Sequence, residues 1–122
     1  MNFWVNSNAS LDELCGHLGH EKLIALDTEF IRTDTFFPKL ALIQISDGSD
    51  HWLIDVLSIT KYEALRSLLE STTSTVIFHA CAEDVEVLDH TLNINPRNIF
   101  NFSKVSNIFF NAFIRELEKL PE

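Results

Sequence analysis

"LIALDTEFIR", residues 23–32, begins as an apolar run and then carries two acids one residue apart, Asp27 and Glu29. The run has the composition of a buried strand, which we place at residues 23–30. On a strand, residues two apart point to one face, so the two carboxylates stand about 6–7 Å from each other. At an effective dielectric near 20 such a pair repels by roughly 2.5 kcal/mol. Buried unpaired charge is costlier still, so either the acids sit at a solvated strand end or a cation holds them. Hard divalent ions such as Mg²⁺ prefer carboxylate oxygens and turn the repulsion into coordination.

Working outward, residues 40–46 ("LALIQIS") and His51–Asp55 ("HWLID") read as strands joined at the turn signal Asp47–Gly48. Phe3 to Val5 makes a short strand before them. Ser10–Glu13 ("SLDE") fits a capping box, with Leu11, Leu14 and Leu18 at helical spacing behind it. "TKYEALRSLLE" is an amphipathic helix with Leu65, Leu68 and Leu69 on its apolar side. "TVIFHA" is an apolar strand, "AEDVEVLDHTL" a helix with Val85, Leu88 and Leu92 inward, and Asn98–Phe100 begins a last strand. This order predicts an α/β fold with a mixed sheet, an antiparallel pair near one edge and parallel βα units after it.

The chain has 122 residues and a formal net charge of −9, the size of one domain. A protein that holds nucleic acid by charge alone is normally basic, so the balance argues against a passive binder. It is compatible with an enzyme that meets phosphates through bound cations. No apolar run approaches the ~18 residues of a membrane span, and the N-terminus lacks a signal-peptide pattern. Cys15 and Cys81 fall in no metal or redox spacing. We therefore expect a cytoplasmic protein with reduced thiols and no membrane partner.

A second acidic pair, Glu83–Asp84, opens the helix after "TVIFHA". Acids in a first helical turn favour the helix dipole, which explains the pair without any site. If that strand runs parallel beside residues 23–30, however, both acidic stretches emerge at one sheet edge, where open α/β sheets place ligands.

"ALDTEFIRTDTFFPKLALIQI" followed by "FHACAEDVEVL" resembles the ribonuclease D family of DEDD-superfamily 3′–5′ exonucleases, which have a ribonuclease-H-like fold. D-T-E-F with Arg32, Phe37–Pro38, L-I-Q and H-A-x-x-E-D stand in the family's order, over most of residues 23–100. The resemblance implies that Asp27, Glu29 and Asp84 are catalytic metal ligands for two divalent ions, Mg²⁺ or Mn²⁺. It implies a substrate at the 3′ end of single-stranded RNA, tRNA precursors especially. Substrate-contact candidates are Arg32, Phe37, which can stack on a base beside Phe36, Gln44 and His79; packing and strand-end hydrogen bonding account for them equally.

The family's third motif, a Tyr or His four residues before a metal-binding Asp on a later helix, is not found. His51-x-x-x-Asp55 matches it formally but precedes the second motif and lies on a strand, and Tyr62 is followed four residues later by Arg66. After Phe100 the texture changes to the Phe- and Asn-rich "NFSKVSNIFFNAFIRELEKLPE". We read residues 1–100 as a partial exonuclease domain and 101–122 as an atypical tail from a shifted frame or truncated gene. The expectation is a weakly active or inactive piece that self-associates through exposed apolar surface. The alternative is a non-catalytic nucleic-acid-binding or interaction remnant of the fold.

Overall fold

The computed structural model describes residues 1–31, 39–78 and 81–101. Its elements are β1 (Asn2–Val5), α1 (Asn8–Leu18), β2 (Leu23–Ile31), β3 (Lys39–Ser46), β4 (His51–Asp55), α2 (Glu63–Leu69), β5 (Thr75–Phe78), α3 (Cys81–Leu92) and β6 (Ile99–Asn101). A single 3-10 turn, Val56–Ser58, follows β4.

The six strands form one sheet in the order β1-β4-β3-β2-β5-β6. β3 pairs antiparallel with both β2 and β4, and every other pairing is parallel. The antiparallel β3–β4 pair lies near one edge, one strand in, because β1 adds outside β4. The β3–β4 turn needs a left-handed residue, and Gly48 supplies it at φ 96°.

The crossovers β1-α1-β2, β4-α2-β5 and β5-α3-β6 all move the same way along the sheet, and right-handed connections then put all three helices on one face. The core agrees. Leu11, Leu14 and Leu18 of α1, Leu65, Leu68 and Leu69 of α2, and Val87 and Leu88 of α3 pack with Ile24, Leu26, Ile43, Ile45, Ile54, Val76 and Phe78. These strand residues share one parity. Ala25 and Leu53, of the opposite parity, are buried but lie outside that cluster. Val85 and Leu92 pack only partly against it, and Val87 takes the fully inward place expected of Val85.

Two local devices differ from the sequence reading. The α1 capping box is built on Ser7, with Ser10 as its N3 residue, and their side chains and backbones satisfy each other. Serine at N3 does the work usually given to Glu, which is why the box was expected three residues later. At the other end of the fold, Asn93 closes α3 in the left-handed region at φ 53°. The Arg66 guanidinium donates to the carbonyls of Leu92 and Asn93, both at 3.1 Å, so α2 holds the end of α3.

Candidate functional site at the carboxyl end of β2

β2 is longer than the strand beside it. Among the described residues β5 pairs with it from Leu23↔Thr75 to Leu26↔Phe78, while β3 accompanies it to Ile31. Asp27, Thr28 and Glu29 follow that paired stretch on β2, and α3 begins at Cys81, shortly after β5. Both acidic stretches do come to the same edge.

Alternation sorts the side chains there. Asp27 and Glu29 share the face of Ala25, away from the helices; Asp27 is half-buried and Glu29 exposed. Thr28 shares the helical face of Ile24 and Leu26 and is buried. α3 meets it from that side. Its first turn separates the two neighbouring acids: Glu83 is exposed, while Asp84 is only 2% exposed. The Thr28 hydroxyl donates to Asp84 Oδ1 at 2.5 Å. Asp84 is thereby tied to β2. Its other oxygen, Oδ2, is buried with no hydrogen-bond partner.

An ionised carboxylate with one orphaned, buried oxygen is a poor resting arrangement. Burial pushes the Asp84 carboxyl up to about 7, the hydrogen bond from Thr28 opposes the rise, and the negative charge of Asp27 adds to it. A hard cation would satisfy that oxygen and reverse the local sign. The residues present fit a divalent metal on this ground. They do not, however, form a closed triad.

Among the described residues the trio whose ligand atoms all lie within 4.8 Å of one another is His17, Asp47 and Asp50. It gathers at the β3–β4 turn, at the opposite end of β2. Its acids are already engaged: Asp47 Oδ1 accepts the N–H groups of Ser49 and Asp50 at 2.9 and 2.8 Å, and Asp50 pairs with the N-terminal ammonium at 2.9 Å.

The remaining candidates fall as follows. Gln44 sits opposite Asp27 in the β2–β3 register, so its side chain shares the acid-bearing face, and its Oε1 is buried without a partner. Arg32, Phe37 and His79 lie outside the described residues, as do residues 102–122. Asp55 caps the 3-10 turn, accepting from Leu57 N–H at 3.2 Å and the Ser58 hydroxyl at 2.7 Å. That is a structural task, consistent with setting the His51–Asp55 match aside. Tyr62 is structural too, donating to the Val56 carbonyl at 2.6 Å. The sequence reading missed Thr28; its signal was a polar residue at a parity that points into the core. No helix among the described residues is long and apolar enough to cross a membrane.

The whole-chain comparisons bear on this edge. A family model described as 3′–5′ exonuclease matches residues 2–118. Ribonuclease D of Pseudomonas paraeruginosa is 42% identical over 98 residues, which cover 80% of this chain and 26% of that protein. The crystal structure of Escherichia coli RNase D, described as an exoribonuclease involved in structured RNA processing, superposes with a TM-score of 0.78 at 37% identity. That match covers 83% of this chain and 27% of the E. coli chain. Trypanosoma brucei RNase D, in a complex with RNA U12, gives a TM-score of 0.74 at 27% identity over 83% of this chain and 37% of its own. The chain spans about a quarter of the length of the curated relatives it matches. With the family model matched from β1 to beyond β6, and the sheet superposing on that of RNase D, the chain belongs to the 3′–5′ exonuclease family.

Proposed function

We propose that this chain supplies the Asp27–Glu29–Asp84 portion of a metal-dependent 3′–5′ exoribonuclease site of ribonuclease D type. The substrate class is the 3′ end of single-stranded RNA, with tRNA precursors among its members. The observation that carries this reading is the orphaned, buried Oδ2 of Asp84 at the edge where Asp27 and Glu29 emerge. Two divalent ions, Mg²⁺ or Mn²⁺, suit this donor set and when bound neutralise charge on a phosphodiester under attack.

The chain's own residues have separable tasks. Asp84 offers Oδ2 from the helical side while Oδ1 stays fixed on β2. Asp27 offers its carboxylate from the other face, and Glu29, exposed one pair further along, is accessible to an incoming strand. At a net charge of −9 the bare protein repels RNA, so cation binding and RNA binding are coupled. Gln44, Arg32, Phe37 and His79 remain substrate-contact candidates, and the cytoplasm is the compartment this function suits.

Three carboxylates do not balance two divalent ions, so the second ion is held weakly by this chain alone. The test is a 3′-labelled RNA with Mn²⁺, given to the chain, to a fusion carrying the rest of a relative's exonuclease domain with its Y-x-x-x-D motif, and to the Asp27→Ala form of each. We expect near-background shortening by the chain, and shortening by the fusion that Asp27→Ala removes. A fusion whose activity ignores Asp27→Ala refutes the reading. The second reading, a non-catalytic remnant, is favoured by the spread of the three carboxylates beyond a closed triad; a fusion that binds Mn²⁺ yet never cleaves would select it.

A further inference from the structure

We infer that Thr28 is a positioning residue for the candidate metal site, fixing the one carboxylate that reaches it from the helical face; this rests on the proposed function. Thr28 is the residue between the two acids, and alternation turns its side chain away from them. In a role limited to strand formation it would be one more buried β-branched residue, like Ile24 or Leu26 on the same face. Its hydroxyl instead makes a hydrogen bond that spans 56 residues of sequence, to Asp84 Oδ1 at 2.5 Å, with both partners buried. One oxygen is thus held by strand β2, and the other, Oδ2, is left buried and without a partner.

A carboxylate held in this way cannot swing freely about its χ angles. Its orphaned oxygen is kept at the β2 edge where the Asp27 carboxylate also stands. Residues behind metal ligands commonly act like this, and losing one costs about 10- to 100-fold in metal affinity. The same bond ties α3 to β2.

Thr28→Val keeps the branched shape and removes the donor, while Thr28→Ser keeps the donor. Mn²⁺ alone is titrated calorimetrically into the 122-residue chain, its Asp27→Ala form and both Thr28 variants, with urea unfolding in EDTA as the folding control. We expect Thr28→Val to lose about 10-fold or more in Mn²⁺ affinity, Thr28→Ser to stay within about 3-fold, and both variants to remain folded and unfold cooperatively in EDTA. If Thr28→Val does not fold, Thr28→Ala against Thr28→Ser isolates the hydroxyl in the same titration. A parent that binds Mn²⁺ through Asp27, with Thr28→Val or Thr28→Ala binding as tightly, overturns the role of Thr28 and leaves the proposed function standing. A parent whose Mn²⁺ binding is absent or insensitive to Asp27→Ala overturns both.

Discussion

Two acidic clusters stand at opposite ends of β2, and they differ in a way that proximity alone does not reveal. At the β3–β4 turn, Asp47, Asp50 and His17 bring their polar atoms within 4.8 Å of one another. At the far end, Asp27, Glu29 and Asp84 are more dispersed. Yet the tight cluster is internally satisfied. Burial pushes the Asp47 carboxyl up, but the N–H groups of Asp50 and Ser49, with His17 beside it, outweigh that and hold it below its usual range. The dispersed cluster contains the carboxyl raised to about 7 and the orphaned oxygen. Acids that have spent their hydrogen-bonding capacity close a turn. An acid denied it is the better candidate for holding a cation.

The largest expected effect separates the two clusters by function. In a fusion that completes the site, Asp27→Ala should lower 3′ shortening by about 10²–10⁴-fold, whereas Asp47→Asn with Asp50→Asn should leave it within about 2-fold. A comparable loss in the turn variant, read on the same labelled RNA, would break the comparison.

The next effect concerns stability, and the two ends carry opposite signs. The folded Asp84 carboxyl titrates near 7, above its value in an unfolded chain. Metal-free protein therefore has this contribution in full below about pH 4 and loses it as pH rises through 7. Asp84→Asn should accordingly stabilise the metal-free chain at pH 8 by on the order of 1–2 kcal/mol, with the gain fading by pH 5. Asp47 is depressed, so its contribution is present at neutral pH and lost on acidification below about 4. Asp47→Ala should cost about 1 kcal/mol at pH 7 through lost turn hydrogen bonds. Urea unfolding in EDTA at pH 5 and 8 measures both.

A smaller effect tests whether Tyr62 belongs to either cluster. Tyr62→Phe removes the hydroxyl's bond to Val56 and should cost about 1 kcal/mol while leaving Mn²⁺ affinity unchanged. Any loss of Mn²⁺ affinity would give Tyr62 a part in the site. The smallest effect concerns surface. By register, Trp4, Leu23 and Phe100 lie on the acid-bearing face and are 50%, 58% and 44% exposed. Weak self-association through them should appear in sedimentation velocity at high concentration and diminish in Leu23→Ser.

Most of the architecture was legible because period and punctuation agree. β2, β3 and β4 show apolar runs closed by a turn dipeptide, and α2 and α3 show helical spacing. What was not legible depended on contacts distant in sequence. The addition of β1 outside β4 rests on four backbone pairings that no local pattern announces. The 3-10 turn rests on Asp55, whose carboxylate invites a ligand reading until its two donors are seen. At the candidate site, the D-x-E and E-D spacings singled out the acids proposed as ligands, and helix phase decides which of Glu83 and Asp84 is buried. The bond from Thr28 to Asp84 joins residues 56 apart in sequence, a contact that no local pattern announces.

The contact between Thr28 and Asp84 has a kinetic consequence. It exists only once a strand and a helix, far apart along the chain, have docked. The Thr28–Asp84 bond closes a loop spanning 56 residues, and such closures, together with parallel pairing, come late in folding. Metal has no assembled site to find in the transition state. Mn²⁺ should therefore leave the refolding rate of the chain unchanged and slow its unfolding, the pattern of an interaction made only after the barrier is crossed.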